Sequence, residues 1–175
     1  VLAIALAVGL CGCSGDDEPA GLATTPPPAT TATTATTTPP SADEQDAAAI
    51  RDVYAAYWDA LIDSENGPDP DPALFDGIAT GDVVEAQLAR VTNMIDEQQR
   101  RIGEPEIGEV QVSVDGDDAS AEACVDQRPW GVVVQEQTQP PLEIVTGPIG
   151  VRLQREGDGW LIVARIPVAE ATISC

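Results

Sequence analysis

An α+β domain, helices first and antiparallel strands after, is the fold class that residues 43–175 predict. Three features carry it. Apolar residues recur at helical spacing between Ala47 and Ile62, apolar residues alternate from Val110 to Val125, and the run WLIVARI at 160–166 is entered through the turn EGDG.

Each element follows in turn. Ser41 stands three residues before Glu44, the spacing of a capping box that starts a helix. Ala47, Ile50, Val53, Tyr54, Tyr57, Trp58, Leu61 and Ile62 then stack on one face, with Asp52, Asp59 and Asp63 off it. The stretch SENGPDPDP ends the helix, because its prolines and Gly67 cannot continue one. A second helical stretch is expected over Pro72 to Ala79. A third is expected from Asp82 to Arg101, with a stripe of Val84, Leu88, Val91, Ile95 and then Ile102, and with Arg100 and Arg101 facing the negative end of its dipole. Strands come next. Val110, Val112 and Val114 run into a turn at Asp115-Gly116, and Ala119, Ala121, Ala123 and Val125 return, which makes an antiparallel hairpin with one apolar face. Further strands are expected at Trp130 to Gln135 and Gly150 to Arg155. WLIVARI is apolar on both faces and is expected at the sheet centre. A last short strand is placed at Ala171 to Cys175.

Ahead of that domain the chain is of another kind. Residues 1–10, VLAIALAVGL, are too few to cross a hydrocarbon core as a helix, which needs about 20. They fit the apolar region of a signal peptide, here without a starting Met or a basic segment, so residues 1–12 are expected to be its truncated remnant. A small residue must precede the cut: Gly12 before Cys13 supplies it, and Leu10 before Cys11 does not. Leu10-Cys11-Gly12-Cys13 resembles the bacterial lipoprotein lipobox. The resemblance implies that Cys13 becomes the new N-terminus, takes a diacylglyceryl group and anchors the protein outside the cytoplasm on the cell membrane. Residues 13–42 carry the tract AGLATTPPPATTATTATTTPP, which has no apolar bulk apart from Leu22 and reads as an extended linker.

Charge removes whole classes of function. Thirty Asp and Glu face eight Arg, with no Lys or His and a formal charge of -22. Nucleic-acid binding needs a basic stripe, so no nucleic-acid partner is expected. Without histidine there is no Ser-His-Asp triad, no Cys-His pair and no imidazole ligand.

The order of elements resembles the nuclear transport factor two-like superfamily, the cone-shaped fold shared with ketosteroid isomerase and polyketide cyclases. The likeness is to lipid-anchored members from actinobacterial envelopes, and it rests on Ala79-Thr80-Gly81, the strand ending Cys124-Val125-Asp126, the segment Arg155 to Val163, and Cys175. It implies N-terminal helices packed on a curved antiparallel sheet, with a pocket between the first helix and the sheet. With Cys11 removed and Cys13 acylated, Cys124 and Cys175 remain as an even pair in an oxidising compartment, and a disulfide is expected.

Ketosteroid isomerase pairs an aspartate base with a tyrosine in its oxyanion hole. Tyr54 and Tyr57 lie on the corresponding helix and are catalytic candidates on that analogy alone, since both fit the core stripe and no aspartate matches the base. Asp126 and Arg128, two apart on a strand with Cys124, are candidate pocket residues, as are Trp58 and Trp130. An ion pair and core packing are the plainer readings. Glu65, Asp69, Asp71 and Asp76 lack the spacing of a calcium loop, and no metal or cofactor is expected. The resulting expectation is a lipid-anchored envelope protein whose domain binds a small apolar ligand or another envelope protein without catalysis. An isomerase- or cyclase-like enzyme and a surface spacer are the alternatives. The resemblance further implies a homodimer formed through the sheet.

Overall fold

The computed structural model describes residues 41–140 and 146–175. The expected signal peptide, Cys13 and the linker tract up to Pro40 lie outside the described residues. No helix among the described residues is long and apolar enough to cross a membrane.

Helix α1 (Ala42–Asn66) begins with the expected box: Ser41 Oγ accepts from Glu44 N at 3.3 Å, and Glu44 Oε2 accepts from Ser41 N at 2.7 Å. Its stripe goes inside. Ile50, Tyr54, Tyr57, Trp58 and Leu61 are buried, and Asp52, Asp59 and Asp63 face solvent. The helix expected over residues 72–79 is a single 3-10 turn, Pro72–Phe75, capped by Asp71 Oδ1 on Ala73 N and left through Gly77 at φ 71°.

Helix α2 (Asp82–Asp96) stops short of Arg101. Gln98 takes a left-handed φ of 53°, and the next four residues leave as a strand, so Arg100 and Arg101 do not serve the helix dipole. Its inner face also differs from the one expected. Val83, Gln87, Val91 and Met94 are buried, Val84 and Leu88 are half-buried, and Ile95 is 46% exposed. The two stripes share Val91 and differ by about 100° of rotation, one residue of a helix. Turning Gln87 inward gives Glu65 a hydrogen-bond donor, which the apolar pattern alone does not register.

Two antiparallel sheets follow. The smaller has the order β1 (Gln99–Ile102), β5 (Gly131–Val134), β6 (Gln137–Thr138). The larger is built from β2 (Glu106–Ile107), β3 (Gln111–Asp115), β4 (Asp118–Asp126), β7 (Thr146–Glu156) and β8 (Gly159–Ile166). There β2 and β3 pair with β4, β7 pairs with β4, and β8 pairs with β7. The β3–β4 hairpin turns through Gly116-Asp117, one residue later than expected, with Asp115 opposite Asp118. Its alternation holds: Ala119, Ala121, Ala123 and Val125 pack with Val151, Leu153 and α1 in the core.

Strand β8 is the last of its sheet, not the centre. Residues 78–80 cover its outer edge, with Ile162 N donating to Ile78 O and Thr80 N to Ile162 O, both at 3.0 Å. That cover accounts for an apolar run at an end position. The strand expected at residues 171–175 is also absent. After a 3-10 turn, Val168–Glu170, an irregular tail crosses the outer face of β4 and β7. It is held by the Cys124–Cys175 disulfide, Cα atoms 5.6 Å apart, and by Thr172, whose N and Oγ1 donate to Glu122 at 2.9 and 2.7 Å. An Arg152–Glu170 ion pair adds to it.

The disulfide closes a separation of 51 residues. Replacing both cysteines with serine is expected to lower unfolding stability by about 4 kcal/mol on the chain-entropy model. Urea denaturation of the variant against the oxidised protein measures the difference.

Candidate functional site

Tertiary packing places a carboxylate inside the domain. Glu65 lies four residues after Leu61 and seven after Trp58, in phase with the apolar stripe of α1, so the helix that buries those side chains also buries Glu65 to 3% exposure. An unpaired carboxylate there would be costly. Glu65 Oε1 accepts from Arg90 Nε at 2.7 Å and from Gln87 Nε2 at 3.0 Å, and Oε2 accepts from Arg90 Nη2 at 3.2 Å. Arg101 Nε stands 3.5 Å from Oε2 on the other side. Ser64 Oγ donates to Leu61 O at 3.0 Å and accepts from Gln87 Nε2 at 3.2 Å.

Arg101 ties this cluster to the aromatic wall. Its Nη1 donates to Trp130 O at 2.8 Å, and its guanidinium lies 4.4 Å from the Trp130 ring centroid. Burial pushes the Arg101 guanidinium below its ordinary value, with Glu65 opposing that shift. The hydrogen bonds that Arg90 donates to Glu65 raise Arg90 instead. Trp130 meets Trp58 edge-on at 6.2 Å, and its Nε1 donates to Asn66 Oδ1 at 2.9 Å. Asn66 in turn donates to Gly103 O at 2.9 Å. Gly103 is fixed by geometry: φ is 80°, and a Cβ there would sit 2.4 Å from Pro129 O.

Beside these groups lies a half-open cavity of about 230 Å3. Trp58, Leu61, Trp130 and Ile149 give it apolar walls, and Glu65, Gln87, Arg90, Arg101, Gln127 and Arg165 give it polar ones. A second cleft of about 330 Å3 lies along Ile102, Gly103, Arg128, Pro129 and Thr138, and it shares Arg101, Gln127 and Trp130 with the first.

Of the residues singled out in the sequence, Trp58 and Trp130 both line the interior cavity. Arg128 lies beyond the end of β4 on the rim of the second cleft and folds back onto Asp126 in an ion pair. That pairing holds the Asp126 carboxyl below the usual range. Tyr54 donates its hydroxyl to Ile149 O at 2.8 Å. Burial pushes it up to about 12, against the pull of the Trp58 N–H, which lies near it outside hydrogen-bond geometry. Burial raises Tyr57 as well, and Arg165 opposes it. Glu65 is therefore not one of a run of loop acids, and sequence reasoning missed Gln87, Arg90, Arg101 and Arg165. The available signal was phase: Glu65 and Gln87 fall on helix faces that are otherwise apolar.

No family model matches the chain, and no curated protein is similar to it. Solved structures do share its fold. The intermembrane space region of chloroplast protein ARC6 is similar at a TM-score of 0.53 and 14% identity, over 69% of this chain and 95% of that one. The Kfla4162 protein from Kribbella flavida is similar at a TM-score of 0.50 and 17% identity, over 70% and 89%. A nuclear transport factor two-like protein with a cystatin-like fold from Novosphingobium aromaticivorans follows at 0.43 and 19%, over 69% and 79%. Helices packed on antiparallel sheets are what the chain has in common with the first two.

Replacing Asn66 with alanine strips the Trp130 N–H and the Gly103 carbonyl of their partner. A loss of about 1–3 kcal/mol is expected. Thermal unfolding followed by tryptophan fluorescence reads both the stability and the altered setting of Trp130.

Proposed function

We propose that the chain is an envelope lipoprotein whose ordered domain is a binding module, taking a small ligand into the cavity between α1 and the sheets. The observation that carries this reading is the cavity itself: two tryptophans, Leu61 and Ile149 on its walls, and a hydrogen-bonded charged cluster behind them. Concave sites with apolar walls and a few fixed polar groups are what small ligands use. Binding is favoured over turnover because the reactive groups are already occupied. Both oxygens of Glu65 are engaged, and Tyr54 is committed to Ile149 O.

Anchoring through a lipid on Cys13 is supported by Leu10-Cys11-Gly12-Cys13 behind an apolar run, and the Cys124–Cys175 disulfide suits an oxidising compartment. Acyl chains contribute about 0.8 kcal/mol per buried methylene, so two or more hold an acidic protein on a bilayer.

The test is native mass spectrometry on the full chain carrying Cys13→Ser, secreted into an oxidising compartment and incubated with an envelope extract. A reproducible small-molecule adduct is expected, together with release of the variant from the membrane fraction that retains the parent. A bare protein at every extract concentration would overturn the binding reading, and a parent found in the soluble fraction would overturn the anchor.

A further inference from the structure

Arg165 should not reach the interior. On β8, Trp160 and Ile162 face the core, so strict alternation would send Arg165 to the opposite side. A β-bulge changes that. Leu153 pairs with Ile162, but Arg152 pairs with Ala164, which leaves Val163 as the extra residue. Beyond it Arg165 stands opposite Val151, a fully buried core residue, and directly opposed residues share a face. Ile166 consequently lies on the outer face, against the Gly150 backbone. The bulge has aimed a guanidinium at the cavity.

Three arginines thus line the cavity against the single carboxylate of Glu65, in a chain with eight arginines and thirty acids. Arg165 has no hydrogen bond or ion pair among the described residues, and its charge acts on both Tyr54 and Tyr57. Arg90 and Arg101 are both paired with Glu65, so Arg165 is the unpaired cation of the lining. The cavity therefore presents surplus positive charge to whatever enters it, with apolar surface beside it.

We propose that the cavity recognises the carboxylate of a small amphipathic monoanion. Arg165 neutralises its charge, and Trp58, Trp130, Leu61 and Ile149 hold its apolar body. A volume of about 230 Å3 suits a single ring or a short chain. This rests on the cavity being the ligand site. It narrows the class from apolar molecules in general to those with an anionic end.

The experiment is a titration of the full chain with matched probes, benzoate against benzamide and octanoate against octanamide, with inorganic phosphate as a third arm. It is followed by the indole N–H resonances in a proton–nitrogen spectrum. The carboxylates are expected to bind about tenfold tighter than their amides, the worth of one charge-assisted hydrogen bond, and to move the Trp58 resonance while that of Trp160 stays. Arg165→Gln, on an exposed side chain without bonds to lose, should erase that preference. Equal binding of carboxylate and amide, or a preference that survives Arg165→Gln, would overturn the anion inference while leaving the binding module standing. Phosphate binding as tightly as the carboxylates would overturn the need for an apolar body. No saturable shift with any probe would count against the anion inference and the binding module alike.

Discussion

One buried carboxylate organises the interior of this domain. Taking Glu65 out of water carries a desolvation cost of several kcal/mol, which only close, well-directed donors offset. Those donors come from two elements. Helix α2 turns Gln87 and Arg90 toward it, and β1 brings Arg101. The rotation of α2 by one residue, its end at Asp96 and the left-handed Gln98 are consequences of delivering these groups to one place.

The same chemistry clamps both ends of α1. Near its start, Asp46 accepts two hydrogen bonds from Arg155, at 3.0 and 2.7 Å, and that guanidinium covers Trp160 at 4.2 Å. Near its end, Glu65 meets Arg101, which covers Trp130. The first clamp is partly exposed. Arg155 holds the Asp46 carboxyl below its usual range, so its contribution is present above the unfolded value of about 4 and fades as pH falls through the folded one. The second clamp is buried and borders the cavity, so it fixes the helix and shapes the cavity wall together.

Much of the fold was legible because local rules and tertiary structure agreed. The Ser41–Glu44 box, the α1 stripe and the β3–β4 alternation each satisfy one period without competition. Legibility failed where a polar side chain was the buried one. Gln87 looks like surface in a hydropathy pattern, and Arg101 looks like a helix C-terminal charge until β5 pairs with it. Arg165 was hidden for another reason: a bulge one residue long reverses every face beyond it, and nothing in WLIVARI marks Val163 as the extra residue. The disulfide was legible from counting, whereas the irregular tail it secures across Glu122 was not, since that path depends on Thr172 finding a carboxylate.

A cavity wall made of a salt-bridged cluster is only as firm as the coupling inside it. The most direct measurement is a double-mutant cycle between Glu65 and Arg101, using Glu65→Gln, Arg101→Gln and the pair in urea unfolding. A central buried cluster predicts a coupling of about 1–3 kcal/mol, with each single change costing more than half of what the pair costs. Additive losses, with a coupling near zero, would contradict the role given to Glu65.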